Sequence, residues 1–179
     1  ALRRSIYVSL LLIGTVTILL NVAVFLWLDP ILRWLQVPYD IYPLMRNYLW
    51  IIFWGIVFTF LYNFYAALLR AVGDSVTPLW FLAVSVVLNI GLDLFLILVL
   101  DQGIEGAAVA TVIAQGTAAS GILLYTYKIR PELRLHREDM RFDRSSLREI
   151  TSFSTLTCVQ QSVMNFGILM VQGLVNSFG

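Results

Sequence analysis

Asp93 is the one acidic residue among eleven that lies inside a long apolar run. Asn89 stands four residues before it, and Ser85 four before that. On a helix this spacing stacks all three on one face. A carboxylate, an amide oxygen and a hydroxyl make an all-oxygen donor set. Hard cations such as Na⁺ accept such a set, whereas soft metals want sulfur or imidazole. A buried carboxylate also serves as a proton carrier. Ionisable groups inside a membrane are expensive and mark ion or proton pathways. The plainer reading is that Asp93 and Asn89 only hydrogen-bond across helices.

A partner for this face follows from folding the chain back on itself. With the turn centred near Gln102, Asp93 lies nine residues before it and Thr111 nine after. Asn89 and Gln115 are likewise thirteen away on either side. The spacing therefore predicts Asp93 level with Thr111, and Asn89 level with Gln115. The second arm is rich in small residues (Gly106, Ala107, Ala108, Ala110, Ala114, Gly116, Ala118, Ala119 and Gly121). Small residues let membrane helices approach closely. Ser85, Asn89, Asp93, Thr111 and Gln115 can thus converge on one polar cluster, with Asp93 as its expected coupling-ion residue and Ser85 and Gln115 as accessories. Other polar residues speak less specifically. Asn21 and Asn63 read as interhelical hydrogen-bonding amides. Tyr62 and Tyr65 suit an apolar substrate cavity or a lipid-facing surface equally well. Gln161 and Asn165 fall close to one face, together with Gln172, and hint at a lumen.

These residues need a membrane frame to position them. Of the 179 residues, 59% are hydrophobic and 13% charged, against about 45–50% and 25% in soluble domains. A soluble globule of this size could not hide so much apolar surface. The same composition excludes disorder. A bilayer core takes about 20 mostly apolar residues per helix. Such stretches run over about 5–28, 47–69, 78–100 and 104–127, and a fifth covers 149–179 after a start near Leu147. The predicted fold is an all-α membrane protein, a bundle of five transmembrane helices. Lys and Arg are distributed unevenly, ten on the side holding the amino terminus and the 70–77 and 128–148 loops, two on the other. The positive-inside rule places those two loops in the cytoplasm. Trp27, Trp34, Tyr39, Tyr42, Tyr48 and Trp50 gather near the opposite face, as interfacial anchors do. Residues 128–148 read as a solvated linker, with an anionic headgroup site as the sharper alternative. The chain opens on two loop arginines without Met and stops inside an apolar stretch, so a piece of a larger transporter or channel is expected.

Enzyme chemistry finds no support. HExxH, GxSxG and phosphate-loop patterns do not occur. The single cysteine, Cys158, excludes a disulfide framework, and the single histidine, His136, sits in the charged loop. No catalytic residue, organic cofactor or nucleic-acid partner is expected, and no metal beyond a Na⁺ at Asp93.

The run Leu69-Arg70-Ala71-Val72-Gly73-Asp74-Ser75-Val76-Thr77-Pro78 resembles the junction of the fourth and fifth helices of multidrug and toxic compound extrusion (MATE) transporters. Asn89-Ile90-Gly91-Leu92-Asp93 and Gly103-Ile104-Glu105-Gly106-Ala107-Ala108-Val109-Ala110-Thr111 follow in the family's order and spacing. Gln160-Gln161-Ser162 and Asn176-Ser177-Phe178-Gly179 resemble its seventh helix. The resemblance implies helices three to seven of a twelve-helix, two-lobe protein. Residues 1–127 would be part of the amino-terminal lobe, 128–148 the cytoplasmic inter-lobe loop, and 149–179 the first helix of the second lobe. It also implies export of cationic or amphipathic drugs and toxins, in exchange for Na⁺ or H⁺, across the plasma membrane of a bacterium or archaeon. The partners implied are membrane lipid, a small organic cation or amphipath, and the remaining helices. In the DinF-like branch the amino-terminal lobe carries a cation site, whose fifth- and sixth-helix residues fall on Asn89, Asp93 and Thr111. Its first-helix acid has no counterpart in this chain. No Asp or Glu occurs from 150 to 179, which favours that branch over those with an acid in the seventh helix. Ser154 and Leu156 replace the usual Gly-x-Pro start of that helix.

Two rival functions remain, the first of them carried by relatives with the same helix plan. A lipid-linked oligosaccharide flippase would place cations in its cavity to meet phosphate, and here the spans hold no Lys or Arg. A non-transporting membrane module would not need Asn89, Asp93 and Thr111 at matched depths.

Overall fold

The structure is a computed structural model and describes the backbone of residues 2–34, 37–134 and 144–178. Five long helices follow in order: α1 (Leu2–Trp34), α2 (Tyr42–Ala71), α3 (Val76–Leu94), α4 (Gly103–Ile129) and α5 (Arg144–Phe178). A π-helical turn, Phe95–Val99, continues α3, and a 3₁₀ turn, Pro131–Leu133, follows α4. Among the described residues, four helices are long and apolar enough to cross a membrane, namely α1 to α4 with the π turn included in the third. The fifth expected span lies within α5. There Thr151, Ser152, Ser154, Thr155, Thr157, Gln160, Gln161 and Ser162 interrupt the apolar residues. Residues 135–143, the centre of the expected linker, lie outside the described residues.

The chain forms two compact units, Leu10–Arg134 and Ala1–Ser9 with Leu135–Gly179. In the larger unit α4 is the central element and packs along both α2 and α3. Its buried residues are mostly alanine or glycine, including Gly106, Ala108, Ala110, Ala114, Ala118 and Ala119. Small side chains bring the backbones together, which is how helices associate where lipid removes the hydrophobic drive. Gly121 shows the tightness, since a Cβ there would stand 2.7 Å from the Phe81 ring. Asn47 meets Glu105 and Thr59 meets Gln115, so α2 and α4 run in the same direction. α3 runs back between them in sequence.

Local chemistry fixes the turns. Gly73, with φ +88°, ends α2. Its N–H donates to Arg70 O, and the Asp74 N–H donates to Leu69 O. This pair of bonds is the Schellman arrangement, for which glycine is suited because the left-handed conformation carries no Cβ penalty. Asp101 (φ 52°) and Gly103 (φ 56°) make the left-handed turn between α3 and α4. α1 joins α2 through side chains. Asn21 Nδ2 donates to Phe53 O at 2.8 Å, and Phe25 packs against Trp50, Phe53 and Trp54. The interhelical role expected of Asn21 is what the structure shows. Asn63 instead bonds back to Thr59 O in its own helix.

Along α3 burial is inverted relative to a soluble protein. On α3 the buried residues are Pro78 and Ser85, while Leu79, Trp80, Val84, Val87, Ile90 and Leu94 are exposed. A helix that turns its hydroxyl inward and its hydrocarbon outward satisfies its polar groups within the protein and meets lipid with the rest.

Candidate cation site

The polar residues of α3 meet α4 along a seam. Ser85 Oγ donates to Ala114 O at 3.0 Å. One turn outward, Asn89 Nδ2 donates to Thr111 Oγ1 at 3.3 Å. Thr111 spends its single hydroxyl proton on Ala107 O, 2.9 Å away. That assignment fixes the amide of Asn89, because only its NH₂ can face an oxygen that has no further proton to give. The Asn89 carbonyl oxygen is thereby turned away from Thr111.

A further turn along α3 comes Asp93. Its Oδ1 is buried and has no hydrogen-bond partner, one of two such side-chain atoms among the described residues. Buried polar atoms in native structures are almost always paired, and an unpaired carboxylate oxygen is costly. The π turn begins two residues later, at Phe95. Such turns carry a distorted hydrogen-bond ladder and recur at functional positions.

The pairing differs from the one the spacing predicts. Asn89 meets Thr111 rather than Gln115, and Ser85 meets the Ala114 carbonyl. The arms are displaced by about one helical turn. The connection itself is asymmetric about Gln102, with the π turn on the α3 side and left-handed residues at Asp101 and Gly103. Asn89 and Thr111 are brought together regardless, and Asp93 sits one turn outward of them. Gln115 turns to α2, where its Oε1 accepts from Thr59 Oγ1 at 2.9 Å. Thr59 went unnoticed in the sequence, being a lone threonine in an aromatic run.

The remaining expected site residues lie elsewhere. Tyr62 donates its hydroxyl to Pro78 O at 2.8 Å, tying α2 to the start of α3. Tyr65 packs edge-on to Phe64. Gln161 and Asn165 are exposed on α5, and the side chain of Gln172 lies outside the described residues.

At the start of α3 a second carboxylate is surrounded by partners. Asp74 Oδ1 accepts from the Thr77 N–H at 3.1 Å, and Oδ2 from the Thr77 hydroxyl at 2.8 Å. Tyr125 OH approaches Oδ2 at 3.5 Å, and an Arg130 guanidinium nitrogen at 3.6 Å. The Thr77 bonds first, and then Arg130, hold the Asp74 carboxyl below its ordinary value of 3.8.

Four long apolar helices, with hydrocarbon such as Leu19, Trp54, Val87 and Leu124 exposed on their outer surfaces, define a multi-pass α-helical membrane protein. The chain belongs to the MatE family, whose description it matches over residues 1–95. It is 38% identical over 149 residues to "Probable multidrug resistance protein YpnP" of Bacillus subtilis, covering 83% of this chain and 33% of that protein. It is 38% identical over 122 residues to "Probable multidrug resistance protein YoeA" of the same species, covering 66% and 25%. "Probable multidrug resistance protein NorM" of Thermotoga maritima shares 31% over 134 residues, 73% of this chain and 29% of that protein. The chain thus spans about a third or less of the length of these curated relatives. No solved structure matches it.

Proposed function

We propose that this chain is the cation-coupling part of an antiporter that exports cationic or amphipathic compounds by alternating access, in exchange for Na⁺ or H⁺. The observation that carries this reading is the buried, unpartnered Oδ1 of Asp93 beside a seam in which Ser85 bonds to Ala114 O and Asn89 Nδ2 to Thr111 Oγ1. The donor set fits either ion. Asp93 Oδ1, the free amide oxygen of Asn89 and the remaining lone pair of Thr111 Oγ1 are hard oxygen ligands for Na⁺. Protonation of Asp93 would equally relieve the uncompensated charge. The names of the three relatives support a multidrug substrate range.

Coupling requires differential affinity, because an ion that binds two conformations equally shifts nothing. Here the ion binds the conformation in which α3 and α4 converge, and its binding favours release of the exported compound. Alternating access then moves one bundle against the other around a fixed site, as in other secondary transporters. The test is ethidium efflux from proteoliposomes of the full-length protein, driven by an imposed Na⁺ gradient and, separately, by a pH gradient. Wild type exports under one gradient, which names the ion, and Asp93→Asn does not. Equal efflux by Asp93→Asn would remove the coupling role from this residue.

A further inference from the structure

The cation reading leaves one cluster unused, the contact of Gln115 with α2. Thr59 Oγ1 lies 2.9 Å from Gln115 Oε1 and 3.2 Å from Gly55 O. Its single proton is shared between the two acceptors, with the shorter contact to Gln115. The carboxamide rests where Gly55 has no side chain, since a Cβ there would stand 2.9 Å from Oε1 and 3.1 Å from Val112 Cγ2. Gly55 is buried. A notch, a hydroxyl and an amide are therefore fitted to one another across the α2–α4 contact.

Gln115 lies one turn from Thr111 on α4. Thr111 must stand at a set height beside Asn89 to offer its oxygen to an ion near Asp93. The Ala and Gly surface of α4 governs how near its neighbours come, but small side chains resist sliding and rotation poorly. Directional polar contacts supply that resistance. On the α3 side these are Ser85 to Ala114 O and Asn89 to Thr111. On the α2 side, at the same depth, it is Thr59 to Gln115.

We infer that Gln115, clasped by Thr59 over the Gly55 notch, is a positioning residue of the cation site: it fixes the height of Thr111 and so the affinity for the coupling ion. This rests on the proposed antiport. Gln115 is then not a ligand, and α2 becomes a third wall of the site.

The test measures efflux by the full-length protein in proteoliposomes against the concentration of whichever cation, Na⁺ or H⁺, drives the wild type. Groups that orient metal ligands typically cost 10–100-fold in affinity when lost, so Gln115→Leu should raise the half-saturating concentration about tenfold with the maximal rate largely kept. Thr59→Val should give the same shift, and the double variant no more than either single, because the two residues act as one unit. Gly55→Ala, which intrudes on the carboxamide, should reproduce it, and Thr59→Ser, which keeps the hydroxyl, should restore wild-type values. A merely structural contact would lower folded yield or maximal rate and leave the half-saturating concentration in place; that result, or additive shifts, would overturn the inference. Should Gln115→Leu fail to fold, the Thr59→Val and Thr59→Ser pair decides by the same criterion. Asp93→Asn separates the two levels. If it keeps cation-driven efflux, the antiport reading fails. If it loses efflux while Gln115→Leu and Thr59→Val keep wild-type half-saturation, only the positioning role fails.

Discussion

Asp74 and Asp93 flank and occupy the same helix, yet the structure treats them oppositely. Asp74, just before the start of α3, is met by two groups of Thr77, by Tyr125 and by Arg130. Asp93, nineteen residues on, keeps a buried oxygen with no partner. A carboxylate whose lone pairs are satisfied by its own chain stabilises the fold. One whose lone pairs are not is a cost the fold carries, and such costs concentrate at sites of function. The difference separates Asp74, an anchor of the fold, from Asp93, the proposed coupling residue.

The sharpest way to break this contrast is to neutralise each acid. Asp93→Asn should reduce gradient-driven efflux to the level of protein-free vesicles, while the thermal midpoint of the detergent-solubilised protein stays level or rises, because an unpaired charge has been removed. A large fall in that midpoint would make Asp93 a structural residue like Asp74. Asp74→Ala should do the reverse. Stranding Thr77, Tyr125 and Arg130 should cost about 1–3 kcal/mol in a denaturant titration. Unchanged stability would show that the four contacts contribute nothing in sum.

Acid sharpens the comparison further. Because the folded Asp74 carboxyl lies below 3.8, its contribution is present above that pH and is lost as pH falls through the folded value. The stability gap between wild type and Asp74→Asn should therefore be constant near neutrality and begin to narrow as pH falls below the ordinary carboxyl value of 3.8. A gap that shows no narrowing anywhere in the acid range would assign it to packing. The smallest expected effect concerns the link from α1 to α2. Asn21→Ala removes the bond to Phe53 O, and membrane-buried hydrogen bonds average about 0.6 kcal/mol in double-mutant cycles. A loss several times larger in the same titration would mean that Asn21 holds more than that one carbonyl.

Much of this was legible in the residues. The four apolar runs became α1 to α4, and the Gly73 turn fell at the expected junction. The helices run past the predicted ends, since α1 begins at Leu2 and continues beyond Pro30 to Trp34. Hydropathy marks where hydrocarbon is, and helical hydrogen bonding continues into the interface. The family likeness read from 69–115 agrees with the MatE match over 1–95. The candidate site was legible in its members and not in its pairing. Counting outward from Gln102 assumes two straight arms of equal rise, and the π turn at Phe95–Val99 breaks that assumption.

The sequence by itself determined that the chain is helical and built for a membrane, and which acid lies among hydrocarbon. These follow from composition and period, which are local quantities. Only the tertiary structure decided that Asn89 faces Thr111, that Gln115 belongs to Thr59 and α2, and that Asp74 is satisfied while an Asp93 oxygen is not. Those depend on how far each helix rises and turns before meeting its neighbour. The observed meeting lies about one helical turn from the one the residue spacing gives, and the pattern of residue types does not record that offset.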